Sequence, residues 1–187
     1  MEITEDIAIV GIAGKFPEAD NVVQFRENLK TSKDSVRDIS LNRRVLTHLV
    51  PDVEYRPLGY IEEIDTFDYN FFDIPYSEAI KTSPEQRLLF ETIHEIFESA
   101  GFDYKKNKEV IISSFIGDFK QEYYKYINDD SLEVLKGSSN KNFIKILNRF
   151  FGIDGMSCLV DTACSSSLVA LHYACQELIM GNSDISL

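Results

Sequence analysis

Two spacings of apolar residues alternate along this 187-residue chain, and the switches between them predict strands separated by helices. Ile7-Ala8-Ile9-Val10-Gly11-Ile12 is a β-branched run bounded by glycine and predicts a buried strand. Asn21 to Leu29 predicts a helix capped by Asp20 or Asn21, with Val22, Phe25 and Leu29 on one face. Ser40 to Pro57 has no clean period and reads as an irregular excursion, and Leu58 to Phe72 mixes alternation with aromatic residues. At Ser83-Pro84-Glu85-Gln86 the serine caps, the proline takes the first helical position and the glutamine completes a capping box. That helix is predicted to run to Ala100 with Leu89, Ile93, Ile96, Phe97 and Ala100 inward, ended by Gly101.

Glu109 to Gly117 predicts a second buried strand, followed by a helical segment over Asp118 to Tyr126. Gly137 to Asn140 opens a further helix with Phe143, Ile144 and Leu147 inward. Cys158-Leu159-Val160 is a short apolar run, broken by Asp161-Thr162-Ala163-Cys164-Ser165-Ser166-Ser167. Helical period then starts at Leu168 and puts Leu168, Leu171, Cys175, Leu178 and Ile179 on one face, with Gly181 past the end. Strands alternating with helices predict an α/β sheet.

Composition narrows the possibilities. A hydrophobic content of 44%, with 13 Phe and 9 Tyr, suffices for one globular unit. The net charge of −12 argues against nucleic acid, whose binding needs clustered Lys and Arg. Three cysteines without C-x-x-C spacing suggest neither a disulfide framework nor a zinc site, and a reducing cytoplasm fits them. The first residues lack the pattern of a signal peptide, and no apolar stretch reaches membrane-spanning length.

Candidate chemistry concentrates at Cys164. Gly11-Ile12-Ala13-Gly14-Lys15 matches neither glycine-rich phosphate motif, and Asn128-Asp129-Asp130-Ser131 lacks the alternating ligands of a calcium loop. Cys164 falls at a helix N-terminus, where unpaired N–H groups and the helix dipole favour a thiolate and can cradle an oxyanion. The other reading of a free cysteine is a small buried hydrophobe. His48, His94 and His172 all read as structural. His172 lies about 12 Å along the helix from Cys164, too far for a direct hydrogen bond.

The run DTACSSSLVALHYACQELIMGNSDISL resembles the active-site segment of the β-ketoacyl synthase domains of modular type I polyketide synthases and polyketide/nonribosomal peptide hybrids, members of the thiolase-fold condensing enzymes. IAIVGIAGKFPEADNVVQFRENL is similar to the opening of the same domains. The resemblance implies a thiolase-like fold, of which residues 1–187 are the first pseudo-repeat of a layered αβαβα architecture, an incomplete domain. It implies that Cys164 is the nucleophile that takes an acyl chain from the phosphopantetheine of an acyl carrier protein, with no cofactor bound directly. Decarboxylative condensation with a malonyl-type extender would draw on two histidines and a lysine from the second half. Implied partners are the acyl carrier protein, the missing C-terminal half and, for the complete domain, a second copy of itself.

Several positions depart from the family's pattern. Lys15 stands where Arg is usual, Ser83 replaces an Asp, Met156 replaces a Pro, and Lys145-Ile146-Leu147-Asn148-Arg149 replaces a G-R-[IL]-[SA]-Y run. Arg43, Arg44 and Arg56 form the only basic concentration of Ser40 to Pro57, read as solvated or as a carrier-protein contact. Besides the ketosynthase reading, two others stay open: a non-catalytic interaction half that pairs with another chain, and an unrelated α/β hydrolase-like or thiol enzyme built on a cysteine elbow.

Overall fold

A computed structural model of the chain describes residues 6–46, 53–117 and 140–187. Three parallel strands form its sheet: β1 (Ile112–Gly117), β2 (Ser157–Val160) and β3 (Ile185–Ser186), in the order β2-β1-β3. In register, Ser114 opposes Ser157, Gly117 opposes Val160 and Ile112 opposes Ile185. Parallel neighbours need crossovers. Helix α5 (Asn140–Phe151) precedes β2, and α6 (Ser166–Ile179) links β2 to β3.

Successive strand residues face opposite sides, so each face of β1 has its own cover. On one face Ile112 joins Phe90, Ile93 and Phe97 of α4 (Pro84–Ala100) and Phe143, Leu147 and Phe151 of α5. On the other, Phe115 and Val160 pack against Ala170 and Ala174 of α6. The predicted capping box at Ser83 is present, with the Gln86 N–H donating to Ser83 Oγ and the Ser83 N–H to Gln86 Oε1. Gly101 ends α4 in the left-handed region at φ 66°. The most buried stripe of α4 is Gln86, Phe90, Ile93 and Phe97, while Leu89, Ile96 and Ala100 flank it half-buried.

Three expectations are corrected. Ile7–Ile12 forms no ladder with any described residue, and Ile9 and Val10 are exposed. It lies along α4, close enough that a Cβ on Gly11 would come within 2.7 Å of the Ile96 carbonyl oxygen. An apolar run on both sides is the pattern of a strand covered on both faces. Here the described residues supply no edge partner, and α4 meets the run at Gly11 while Ile9, Val10 and Ile12 stay exposed.

The excursion at 40–57 contains a short helix, α2 (Leu41–Leu46), whose Arg43 N–H donates to the Ser40 hydroxyl. Ser40 and Arg37 both bond Glu62, a staple between distant segments that periodicity does not register. Helix α6 is rotated from the predicted face. Ser166, Ala170 and Ala174 are buried, whereas Leu168 and Leu171 are 70% and 57% exposed. Small residues let the helix approach the sheet closely, so the bulky apolar residues fall on its outer side. Helix α1 (Val22–Lys30) is capped by Asn21 as expected, α3 (Tyr76–Ala79) is a short turn ahead of α4, and the helix predicted over Asp118 to Tyr126 lies outside the described residues.

Candidate active site

Strand β2 ends at Val160, and the chain reverses through Asp161 and Thr162 into a single 3₁₀ turn, Ala163–Ser165, that runs into α6. Cys164 sits in that turn and is exposed, while Cys158 and Cys175 are half-buried. The turn depends on an unusual backbone. Ala163 has φ 55°, a left-handed conformation that side-chain-bearing residues seldom adopt and that costs about 1–3 kcal/mol.

Side chains of the DTACSSS run hold that conformation. Ala163 N–H donates to Asp161 Oδ1 at 3.2 Å, and Thr162 N–H donates to Ser166 Oγ at 2.9 Å. Ser166 Oγ in turn donates to the Ala163 carbonyl at 2.7 Å, and Ser165 Oγ to the Thr162 carbonyl at 2.8 Å. Ser165 N–H reaches the Thr162 carbonyl at 3.4 Å, and Ser166 N–H reaches that of Ala163. The Cys164 N–H alone among the amides of residues 162–166 has no acceptor among the described residues. An exposed thiol and an unclaimed N–H on one residue are what a nucleophile needs to attack a carbonyl and steady the resulting oxyanion.

The sheet reaches this turn through Gly117, the last residue of β1. A Cβ there would lie 3.3 Å from Ser167 N and 3.4 Å from Ser167 Cα. Glycine lets the first turn of α6 rest directly on the strand end. At the other end of β2, Asn148 Nδ2 and Ser114 Oγ both donate to Ser157 Oγ, at 2.8 Å and 3.0 Å. Asn148, in the segment that departs from the family's pattern, thereby ties α5 to the strand leading to Cys164.

No histidine is bonded to Cys164 among the described residues. His94 on α4 lies 3.5 Å from both Tyr104 Oη and Glu98 Oε1, beside the Phe71 ring. His172 is exposed on α6, and His48 lies outside the described residues. Lys15 forms an ion pair with Glu91 on α4 at 2.5 Å. Of the basic residues at 43–56, Arg44 bonds the Ile39 carbonyl, and burial pulls the Arg43 guanidinium below its usual range, opposed by the Glu62 carboxylate. Arg56 is exposed.

A parallel α/β unit with a cysteine on the bend between a strand and its crossover helix matches one half of a thiolase-like domain. Solved structures carry that likeness. A ketosynthase domain of the oxazolomycin system of Streptomyces albus JA3453 (OzmH KS7) superposes with a TM-score of 0.81 at 30% identity, covering 97% of this chain and 34% of that one. The ketosynthase from module 6 of the bacillaene synthase of Bacillus subtilis 168 also gives 0.81, at 31% identity over 96% of this chain and 30% of its own.

The family model for the β-ketoacyl synthase N-terminal domain matches residues 4–187, and the chain belongs to that family. Similar curated proteins include polyketide synthase PksL of Bacillus subtilis (strain 168), 33% identical over all of this chain, and the partially reducing polyketide synthase tpeA of Talaromyces stipitatus, 31% identical over 98% of it. The chain spans 4% and 8% of those two proteins. Among the described residues no helix is long and apolar enough to cross a membrane.

Proposed function

We propose that residues 1–187 are the N-terminal part of a polyketide ketosynthase domain, and that Cys164 accepts an acyl chain from the phosphopantetheine thioester of an acyl carrier protein. The observation that carries this reading is the pairing, on one residue of a constrained bend, of an exposed thiol with an unclaimed N–H. The acylated cysteine would then serve decarboxylative Claisen condensation with a malonyl-type extender. That step needs groups to stabilise a carbanion and move a proton. They would come from a complementary C-terminal half, the complete domain acting as a homodimer. By this reading the chain alone does not condense.

Cys164 should be labelled by a mild alkylating agent ahead of Cys158 and Cys175, since it is the exposed thiol of the three. Peptide mapping after brief treatment near neutral pH checks this. Equal labelling of all three in folded protein contradicts the nucleophile reading.

The second reading, a structural half that pairs with another chain without catalysis, draws on the outer face of α6. Leu168, Leu171, Ile179 and Met180 are exposed there, as are Ile9 and Val10 along α4. Apolar surface of this kind marks a contact face. The two readings share the partner and differ in whether Cys164 is ever acylated.

A further inference from the structure

Ser166 is the buried serine of the Ser165-Ser166-Ser167 run, only 6% exposed, while its two neighbours face solvent. Both bonds of its hydroxyl go to backbone that precedes the helix it begins: the Thr162 N–H and the Ala163 carbonyl. A capping serine works in the opposite direction, accepting N–H groups two or three residues downstream. The N-cap position belongs to Ser165, whose side chain makes no such bond. The Ser166 bonds instead straddle Ala163, the residue at φ 55°, and hold closed the bend that carries Cys164.

We propose that Ser166 is a positioning residue for acyl transfer, its two backbone bonds across the bend aiming the free Cys164 N–H at the oxygen that becomes negative when a thioester is attacked. The proposal rests on the reading of Cys164 as the acyl acceptor. In that step the Cys164 sulfur, having released its proton to solvent, bonds the thioester carbonyl carbon, and the carbonyl electron pair moves onto oxygen. Collapse re-forms the carbonyl and breaks the old carbon–sulfur bond. The departing thiolate then takes up a proton. Ser166 touches none of these atoms and acts through the amide it orients.

Two reagents separate orientation from exposure. Alkylation of Cys164 by iodoacetamide needs an accessible thiol and develops no oxyanion. Acylation by the N-acetylcysteamine thioester of butyrate needs the oriented N–H as well. In the 187-residue chain, Ser166→Ala should slow acylation of Cys164 by about tenfold or more, part of the 10²–10³ that loss of a whole oxyanion donor costs. Its iodoacetamide rate should stay at that of the parent chain. Ser166→Thr, which keeps the hydroxyl, should recover acylation.

Rates are read by intact-protein mass, with far-UV circular dichroism confirming that each variant is folded. Equal acylation of the parent and Ser166→Ala overturns the positioning role while leaving Cys164 as acceptor. A fall in both rates together, or no recovery in Ser166→Thr, overturns it in favour of a purely structural serine. No acylation of the parent chain at Cys164 removes the acceptor reading on which the proposal stands.

Discussion

Replacing Gly117 by alanine puts the contact between sheet and nucleophile turn to a test in which even the sign is informative. Gly117 is outside the positive-φ residues, so alanine meets no backbone strain there, and the shorter list of unfolded conformations would by itself stabilise the fold by about 0.4–1 kcal/mol. Against this stands the space available. The new Cβ would meet Ser167 N at 3.3 Å, Ser167 Cα at 3.4 Å and the Ser166 carbonyl carbon at 3.5 Å. Carbon contacts are most favourable at about 3.5–4.0 Å, so α6 must withdraw by a few tenths of an ångström.

The crowded atoms are helix backbone, which cannot rotate away as a flexible side chain can. Overpacking of this kind costs about 1–3 kcal/mol, and the net expectation is a loss of about 1–2 kcal/mol. Urea denaturation followed by circular dichroism should show a lower midpoint with an unchanged slope. Because the displacement falls on Ser166 and Ser167, thioester acylation of Cys164 should slow as well. A variant more stable than its parent would show that strand end and helix start are not in contact, and would refute the reasoning.

Two further predictions concern packing and charge. Leu147 is fully buried between α4 and the sheet, so Leu147→Ala should cost about 2–5 kcal/mol, whereas Leu168→Ala on the outer face of α6 should change stability by no more than about 0.5 kcal/mol; urea midpoints of the pair decide. The Ser40 hydroxyl, followed by Arg37, holds the Glu62 carboxyl below the usual carboxylate range. A carboxyl lowered in the fold contributes stability above its unfolded pKa and loses it as pH falls through the folded value. The difference in thermal midpoint between parent and Glu62→Gln should therefore be present at neutral pH and disappear in acid, and a difference that grows in acid contradicts the assignment.

What the sequence disclosed about this fold was mostly local. The Ser83 capping box and the strand–turn–helix around Cys164 are written in contiguous residues, and both are present. The face of α6 was misjudged because the helix is apolar on two sides. Periodicity weights leucine above alanine, yet Ala170 and Ala174 are the residues small enough to lie against the sheet. Ile7–Ile12 has the composition of a strand, but a strand is completed by neighbours that its own residues do not name. Ser166 was hidden among three consecutive serines. Its burial and its pair of backbone bonds, from the Thr162 N–H and to the Ala163 carbonyl, set it apart.

The central proposal is that Cys164 is the acyl acceptor of a ketosynthase and that this chain alone does not carry out condensation. Incubating it with a butyryl-loaded acyl carrier protein and a malonyl-loaded one, then measuring the intact masses of all three proteins, tests both parts together. The account predicts a butyryl adduct that forms slowly on Cys164 and is absent from Cys164→Ala, with no β-ketoacyl chain on either carrier. An adduct that persists in Cys164→Ala, or a β-ketoacyl carrier formed by the chain alone, would contradict it.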